Sequence, residues 1–406
     1  MIERVSYLSM HTSPLDLPGV GAAGGMNVYL DELARMMAGR GIDVTVFTRR
    51  TADDQPVEMA TPTGYRVVHI DAGPIRPLTI SELPEWVKVF AGGVIHDMRH
   101  AEYDVVHSHY WLSGWAGLIV KQALHMPLAN SFHTLGRVKD ASRRHGQPLE
   151  PLLRLAAESE LIASSDCVIA STDQEADELM DHYGADPERL CVNPPGVDRA
   201  LFFPGDRAAA RRRLGLGSEP VVLFVGRIQP LKGVDVAVDA FDEIRRVLPD
   251  ARLLMVGGPS GSQGSAELNR IRRRIDEYGI GDSVSMRPAQ PHDQIPKFYQ
   301  AADVLVVPSR SESFGLVAAE AQATGLPVVA ADVGGLRHVV LNGESGILVE
   351  GWDPTDYAKA ILGILQSPST LERLSLGAVD SARRFSWQLT GDRLLELYSG
   401  ITDGQG

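Results

Sequence analysis

The chain of 406 residues contains only two cysteines, Cys167 and Cys191, and no apolar run long enough to span a membrane. Both cysteines sit in apolar, strand-like surroundings. Two such thiols build neither a disulfide framework nor a cysteine-based metal site, and they fit a reducing compartment. A spanning helix needs about 18 to 20 consecutive apolar residues. The N-terminal stretch MIERVSYLSM is also too short in its apolar part for a secretory signal. A cytoplasmic protein with no membrane segment is therefore expected. Positive charge is scarce as well: 39 Lys and Arg face 52 Asp and Glu, for a net charge of −13. Nucleic acids and anionic membranes reward basic surfaces, so neither is expected as a partner. Any phosphate the protein binds must be held by a few well-placed cations.

What is present is ordinary globular composition, 44% hydrophobic and 22% charged, in a chain long enough for two domains of roughly 200 residues. Short β-branched runs alternate with helical patterns throughout, the mark of a parallel α/β architecture. In the first half the runs at 5–10, 43–49, 65–71, 104–109, 127–133 and 167–172 read as strands. The second half restarts the pattern at 221–226, 252–257, 283–287, 304–308 and 327–331. Between the halves, Asn193-Pro-Pro-Gly-Val-Asp198 and Phe202-Phe-Pro-Gly205 read as loop, followed by a basic run over 207–213. These features predict two Rossmann-like doubly wound domains facing a central cleft. The expected boundaries are 1–198 for the N-terminal domain, 199–384 for the C-terminal domain, and 385–406 for a last helix packing back toward the N-terminal domain. Ligands in such sheets sit beyond the carboxyl ends of the strands, so the loops there hold the candidate site.

Four clusters fall at such loops. Gly21-Ala-Ala-Gly-Gly-Met-Asn27 precedes the first helix, where glycines permit close backbone approach and free N–H groups attract phosphate. Gly19, Gly21 and Gly24 also spell a dinucleotide-binding pattern. It stands some residues beyond its strand, however, and the second strand ends in Arg49-Arg50 rather than in an acid; an NADP-dependent oxidoreductase is the alternative this raises. Arg227 and Lys232 bring two cations to one strand end, as a leaving diphosphate requires. Glu312 and Glu320 could accept pairs of vicinal hydroxyls, act as a hydrolytic carboxylate pair, or simply lie on a helix surface. His107-Ser-His-Tyr-Trp111 with Phe132-His-Thr134 reads as the hydrogen-bonding wall of a pocket, or as satisfied core histidines, more readily than as a metal site.

Taken together these clusters resemble the retaining glycosyltransferases of family four, which have the GT-B fold. Ser9-Met-His-Thr-Ser-Pro14, Gly24-Gly-Met-Asn-Val-Tyr29, His107-Ser-His-Tyr-Trp-Leu-Ser-Gly114 and Gly257-Gly-Pro-Ser-Gly261 extend the likeness over nearly the whole chain. Within that family the chain is similar to the inositol-phosphate N-acetylglucosaminyltransferases of mycothiol biosynthesis. The resemblance implies a UDP-sugar donor and a small polyol or sugar-phosphate acceptor, with no cofactor needed for the chemistry; a structural Mg²⁺ and a homodimer are left open. It assigns Arg227 and Lys232 to the diphosphate, with Gly25 bringing backbone N–H groups to the phosphates. Glu320 falls to the ribose, Gln290 to the nucleobase loop, and Glu312 with the backbone at Phe314-Gly315 to the donor sugar. His133 touches the sugar near its reacting face. His11, Gly24, Met26, Asn27, Tyr110, Thr134 and Arg154 surround the acceptor. Catalysis would then rest on His133, Arg227, Lys232 and Glu312.

The chain departs from the family at Ile80, where a lysine for the acceptor phosphate is expected. It departs also at Ala22 and Ala23, in place of polar residues, and at Gln290, in place of an arginine. Loss of the lysine would cost about 2–3 kcal/mol at a partly desolvated phosphate. Arg76, Arg137 and Lys139 are the candidates to replace it. The sequence also admits a sucrose-phosphate-synthase-like enzyme and a non-catalytic sensor of nucleotide sugars.

Overall fold

A computed structural model describes residues 1–143, 146–261 and 263–404. The chain forms two compact units. One comprises residues 1–16, 25–194 and 387–406, the other residues 17–24 and 195–386.

The first unit is built on an eight-stranded sheet. Its strands are β1 (Arg4–Ser9), β2 (Asp43–Arg49), β3 (Glu58–Ala60), β4 (Arg66–Ile70), β5 (Val105–His109), β6 (Leu128–Ser131), β7 (Cys167–Ala170) and β8 (Leu190–Val192), in the order β3-β4-β2-β1-β5-β6-β7-β8. Every pairing is parallel except β3 with β4. The central strands are buried along their length, because helices cover both faces of a parallel sheet and leave no solvent side. Leu8, Phe47, Val106, Leu128 and Val168 anchor this core. The edge strands β3 and β8 have three residues each, too short for a period to show, and they went unanticipated.

The second unit carries β9 (Val221–Val225), β10 (Arg252–Val256), β11 (Val284–Arg287), β12 (Val304–Val307), β13 (Val328–Ala331) and β14 (Gly346–Val349). Their order is β11-β10-β9-β12-β13-β14, all parallel. This is the doubly wound order whose direction reverses between β9 and β12, so the loops after those two strands flank the switch point.

The basic run over 207–213 is a helix, Arg207–Leu214, capped by the Asp206 side chain on the Ala209 N–H. Its Arg211 is buried against Asp303, donating from Nη2 at 2.7 Å, and the same carboxylate accepts the Val221 N–H. The run is therefore a strut beneath β9 and β12. The last helix, Trp387–Asp403, belongs to the first unit; Thr390 Oγ1 donates to the Pro194 carbonyl, and Tyr398 is wholly buried there.

The segment 17–24, expected with the N-terminal domain, is part of the second unit. Ser260 Oγ donates to the Gly21 carbonyl at 2.6 Å. Gly19 lies so close to Ala289 that a methyl group on it would meet the Ala289 methyl at 3.0 Å.

Candidate active site

In the second unit the site grows from the loops after β9 and β12. After β9 the chain passes Arg227 and makes one short turn, Pro230–Lys232, before the helix Val234–Val247. Gly233 is the pivot. Its φ is +64°, and a Cβ there would fall 2.0 Å from the Pro308 carbonyl oxygen, so only glycine lets this turn lie against the loop after β12. That contact brings Lys232 Nζ to 2.5 Å from Glu312 Oε2, while Ser309 Oγ donates to the same carboxylate at 3.3 Å. Lys232 and Glu312 are thus one half-buried ion pair, eighty positions apart in the sequence.

Glu320 lies on the helix Leu316–Ala323 and is 6% exposed, which removes the reading of it as a helix-surface glutamate. One of its oxygens meets His292 Nε2 at 2.7 Å and the other accepts from the Tyr299 hydroxyl at 3.1 Å. A carboxylate has about four acceptor positions, so these contacts aim Glu320 and leave capacity for a vicinal diol. Neither His292 nor Tyr299 was singled out in the sequence. Nothing local marks them, because their importance lies in what they touch.

Gly315, with φ +102°, starts the helix of Glu320, and a Cβ on it would strike Leu336. The Phe314 side chain packs edge-on to Phe385 in the core, leaving the backbone as the part of Phe314 able to serve a ligand. Gln290 turns its amide onto the carbonyl of Pro288 in its own loop. Gly24 stands beside Arg227, whose Nε would be 3.1 Å from a Cβ there. Gly24, one of the residues the resemblance gives to the acceptor, thus lies against the Arg227 side chain. Gly25 follows as the first residue of the helix Gly25–Gly39, and Met26 is half-buried on its first turn.

In the first unit, Arg154 is the centre of the expected acceptor residues. It is 1% exposed, on the helix Leu152–Ser164. Its Nε donates to Glu158 at 2.7 Å, Nη1 to Glu150 at 2.9 Å, and Nη2 to the Thr134 carbonyl and hydroxyl at 2.9 and 3.1 Å. The guanidinium also lies over the Tyr110 ring at 5.2 Å, and His11 packs on the other part of that ring at 4.5 Å between centroids. Desolvation disfavours its charge, but Tyr110, Glu158 and Glu150 outweigh that and hold it ionised. His11, Tyr110, Thr134 and Arg154 therefore form one connected group. Asn27 is joined to it through the loop of His11, its amide donating to Thr12 and to the Ser13 carbonyl.

Ile80 is half-buried against the same apolar core as Leu78 and Trp86. The three cations considered as substitutes for a lysine there are engaged elsewhere. Arg76 is paired with Glu82, Arg137 donates to the His182 carbonyl and stacks on Tyr183, and Lys139 is paired with Glu150. Arg49 and Arg50, the basis of the NADP alternative, are also occupied: Arg49 is buried and donates to the carbonyls of Pro74 and Arg76, and Arg50 to those of Ala52 and Asp53.

The first unit also holds a cluster of aromatic and imidazole rings. His107 and His109 end β5 and are fully buried, and His133 follows β6 with a φ of +60°. His107 Nδ1 meets the Tyr398 hydroxyl at 2.7 Å and its Nε2 meets Ser131 Oγ at 2.9 Å. His109 Nδ1 is 3.1 Å from His133 Nε2. Burial lowers all three imidazole pKa values, to about 3 for His107 and His133 and well below the ordinary value for His109, so the cluster is neutral near pH 7. Among the described residues no group of His, Cys, Asp or Glu side chains is arranged to hold a metal ion.

Comparison with known proteins decides the family. Residues 23–201 match the Glycosyltransferase Family 4 model and residues 206–378 the model described as Glycosyl transferases group 1. The D-inositol 3-phosphate glycosyltransferase of Acidothermus cellulolyticus is 48% identical over 97% of this chain and 90% of its own length. That of Thermomonospora curvata is 46% identical over 99% of this chain and 96% of its own. The chain belongs to the family of the D-inositol 3-phosphate glycosyltransferases. Among solved structures, a sucrose-phosphate synthase from Thermosynechococcus elongatus is similar to this glycosyltransferase with a TM-score of 0.92 and 32% identity, covering 99% of this chain and all of that one. An Anabaena protein, HepE, solved in complex with UDP and glucose, has a TM-score of 0.78 at 20% identity, over 98% of this chain and all of its own, and so shares the fold. Among the described residues no helix of the enzyme is long and apolar enough to cross a membrane.

Proposed function

We propose that this glycosyltransferase moves a hexosyl group, GlcNAc or glucose, from a UDP-sugar to inositol 3-phosphate in the cytoplasm, with retention at the anomeric carbon. The observation that carries the acceptor is the 46–48% identity, over nearly the full chain, to enzymes named for inositol 3-phosphate. Donor chemistry is supported by the second unit. Arg227 and Lys232 are cations of one loop after β9, of the kind that would neutralise a diphosphate as it leaves, the step at which fixed charges lower a barrier most. Glu320 is aimed by His292 and Tyr299 to take the ribose diol, and Glu312 with the backbone at Gly315 to take the sugar.

In the proposed reaction the bond from the anomeric carbon to the diphosphate oxygen breaks. The acceptor hydroxyl oxygen bonds to the same face of that carbon, and its proton passes to the departing phosphate. No protein carboxylate acts as nucleophile and no metal is invoked, so the protein's part is orientation and charge support. On the acceptor side His11, Asn27, Tyr110, Thr134 and Arg154 are the residues taken to surround the inositol phosphate, and Ile80 leaves them without the additional lysine.

A second reading, transfer of glucose from UDP-glucose to a hexose phosphate, is favoured by the 0.92 TM-score to the sucrose-phosphate synthase. A mass-spectrometric transfer assay separates the two. UDP-GlcNAc and UDP-glucose are each offered with inositol 3-phosphate, free inositol and fructose 6-phosphate. A glycosyl–inositol phosphate product is expected. A product only with fructose 6-phosphate would replace the inositol reading, and release of UDP with no transfer product would remove both.

A further inference from the structure

His109 and His133 share one hydrogen bond, and which ring supplies its proton has a chemical consequence. The atoms are His109 Nδ1 and His133 Nε2, 3.1 Å apart, with the rings stacked at 5.3 Å between centroids. Both rings are neutral in these surroundings, so each carries a single proton. Only two arrangements exist. In one, His109 donates from Nδ1, and its Nε2 is a bare lone pair. In the other, His133 donates from Nε2, and the proton of His109 must sit on its own Nε2.

The second nitrogen of His109 distinguishes them. His109 Nε2 is buried and meets no hydrogen-bond partner. The His109 ring packs against those of Tyr7 at 5.6 Å, Tyr29 at 5.8 Å and, tilted, His107 at 4.2 Å between centroids. A stranded N–H donor in such a place is rarer and costlier than an acceptor with an unused lone pair. The arrangement with His109 as donor is therefore favoured. His107 differs in having both nitrogens engaged, by Tyr398 and Ser131, which fixes its ring beside that of His109.

Resting on the reading that His133 contacts the donor sugar, we infer that His109 is a positioning residue that holds His133 as its Nδ1–H tautomer. His133 then carries its proton on Nδ1, a donor of the kind a sugar oxygen accepts, and its Nε2 is already occupied. It cannot serve as the base for the acceptor hydroxyl through Nε2, in keeping with a reaction in which the departing phosphate takes that proton.

The test has a spectroscopic arm and a kinetic one. Long-range ¹H–¹⁵N correlation spectra of the wild-type imidazoles, assigned by loss of the signal in His133→Ala, should show His133 protonated at Nδ1. An Nε2–H tautomer would overturn the inference whatever the activities are. His109→Leu should lower kcat about 10- to 100-fold, with donor KM within about threefold, the loss expected of a misplaced group near the reacting centre. His109→Asn keeps an amide N–H at the δ position and should restore most of the rate, whereas His109→Gln, with its amide one bond further out, should not. Equal loss in the Leu and Asn variants, at native melting temperature, would sink the positioning role. Should His133→Ala retain full kcat, the sugar contact itself fails, while the wild-type spectrum still decides the hydrogen bond.

Discussion

The two units solve the problem of burying polar groups in opposite ways. Around the central strands of the first, His107, His109 and His133 pack with Tyr7, Tyr29 and Tyr398, all neutral and nearly all beyond reach of solvent. In the second, Lys232, Glu312 and Glu320 are charge-bearing groups. The lysine and Glu312 hold each other at a half-buried position, while Glu320 is buried between two hydrogen-bonding neighbours. The difference follows from desolvation. A neutral imidazole can be sealed in at modest cost if its nitrogens are paired, whereas an ion needs a counter-ion or donors at short range. On the proposed function it would also divide the labour, the neutral layer orienting His133 and the ions supporting a leaving diphosphate.

The sharpest way to break this comparison is to remove a charge from the second unit. Lys232→Ala should lower kcat by about 10²- to 10³-fold, the usual consequence of deleting one stabiliser of developing negative charge. It also strips Glu312 of its partner, so melting temperature must be recorded beside the rate. An unaffected rate would remove Lys232 from the leaving-group site.

A weaker but separate probe titrates the neutral layer. Its three imidazoles have folded pKa values below the ordinary one, to about 3 where a value is defined, so the folded state binds fewer protons than the unfolded chain between about pH 3 and 6.5. Their stabilisation is complete above pH 6.5 and is lost as pH falls. Glu175, raised to about 7 by burial, works the other way, adding stability as pH falls from about 7 toward 4.5. Three groups outweigh one, and calorimetry should show the melting temperature falling by about 5–10 °C between pH 7.5 and 5. A flat profile would mean that the imidazoles are not sealed from water.

The smallest expected effect comes from placing a charge where the first unit has none. Ile80→Lys should improve KM for inositol 3-phosphate about 10-fold relative to free inositol, the worth of one charge-assisted hydrogen bond. If both acceptors change equally, position 80 does not face the phosphate.

Much of the architecture was legible because parallel α/β structure is written locally, in β-branched runs alternating with helical periods. Most central strands were anticipated within a residue or two, while β3, β8 and β14 at the sheet edges were missed. The loops at Arg227 and Glu312 were legible for a related reason: Gly233 and Gly315 sit at strand-to-helix junctions where close approach or a positive φ demands them. The partners of those residues were not legible. Nothing near His292 announces Glu320, and nothing near Asp303 announces Arg211, ninety-two positions earlier. The same holds for Ile80. Its replacement of a lysine was visible, but the engagement of Arg76, Arg137 and Lys139 elsewhere was not.

The sequence by itself determined the two doubly wound sheets, the loops bearing Arg227, Lys232 and Glu312, and the family. These depend on periodicity, on glycine positions and on residue identities along short stretches. Only the tertiary structure decided that segment 17–24 sits with the second unit, that the last helix closes over His107, and that His109 faces His133. Each of those depends on which side chains meet across tens or hundreds of residues, and burial, not local preference, selects them.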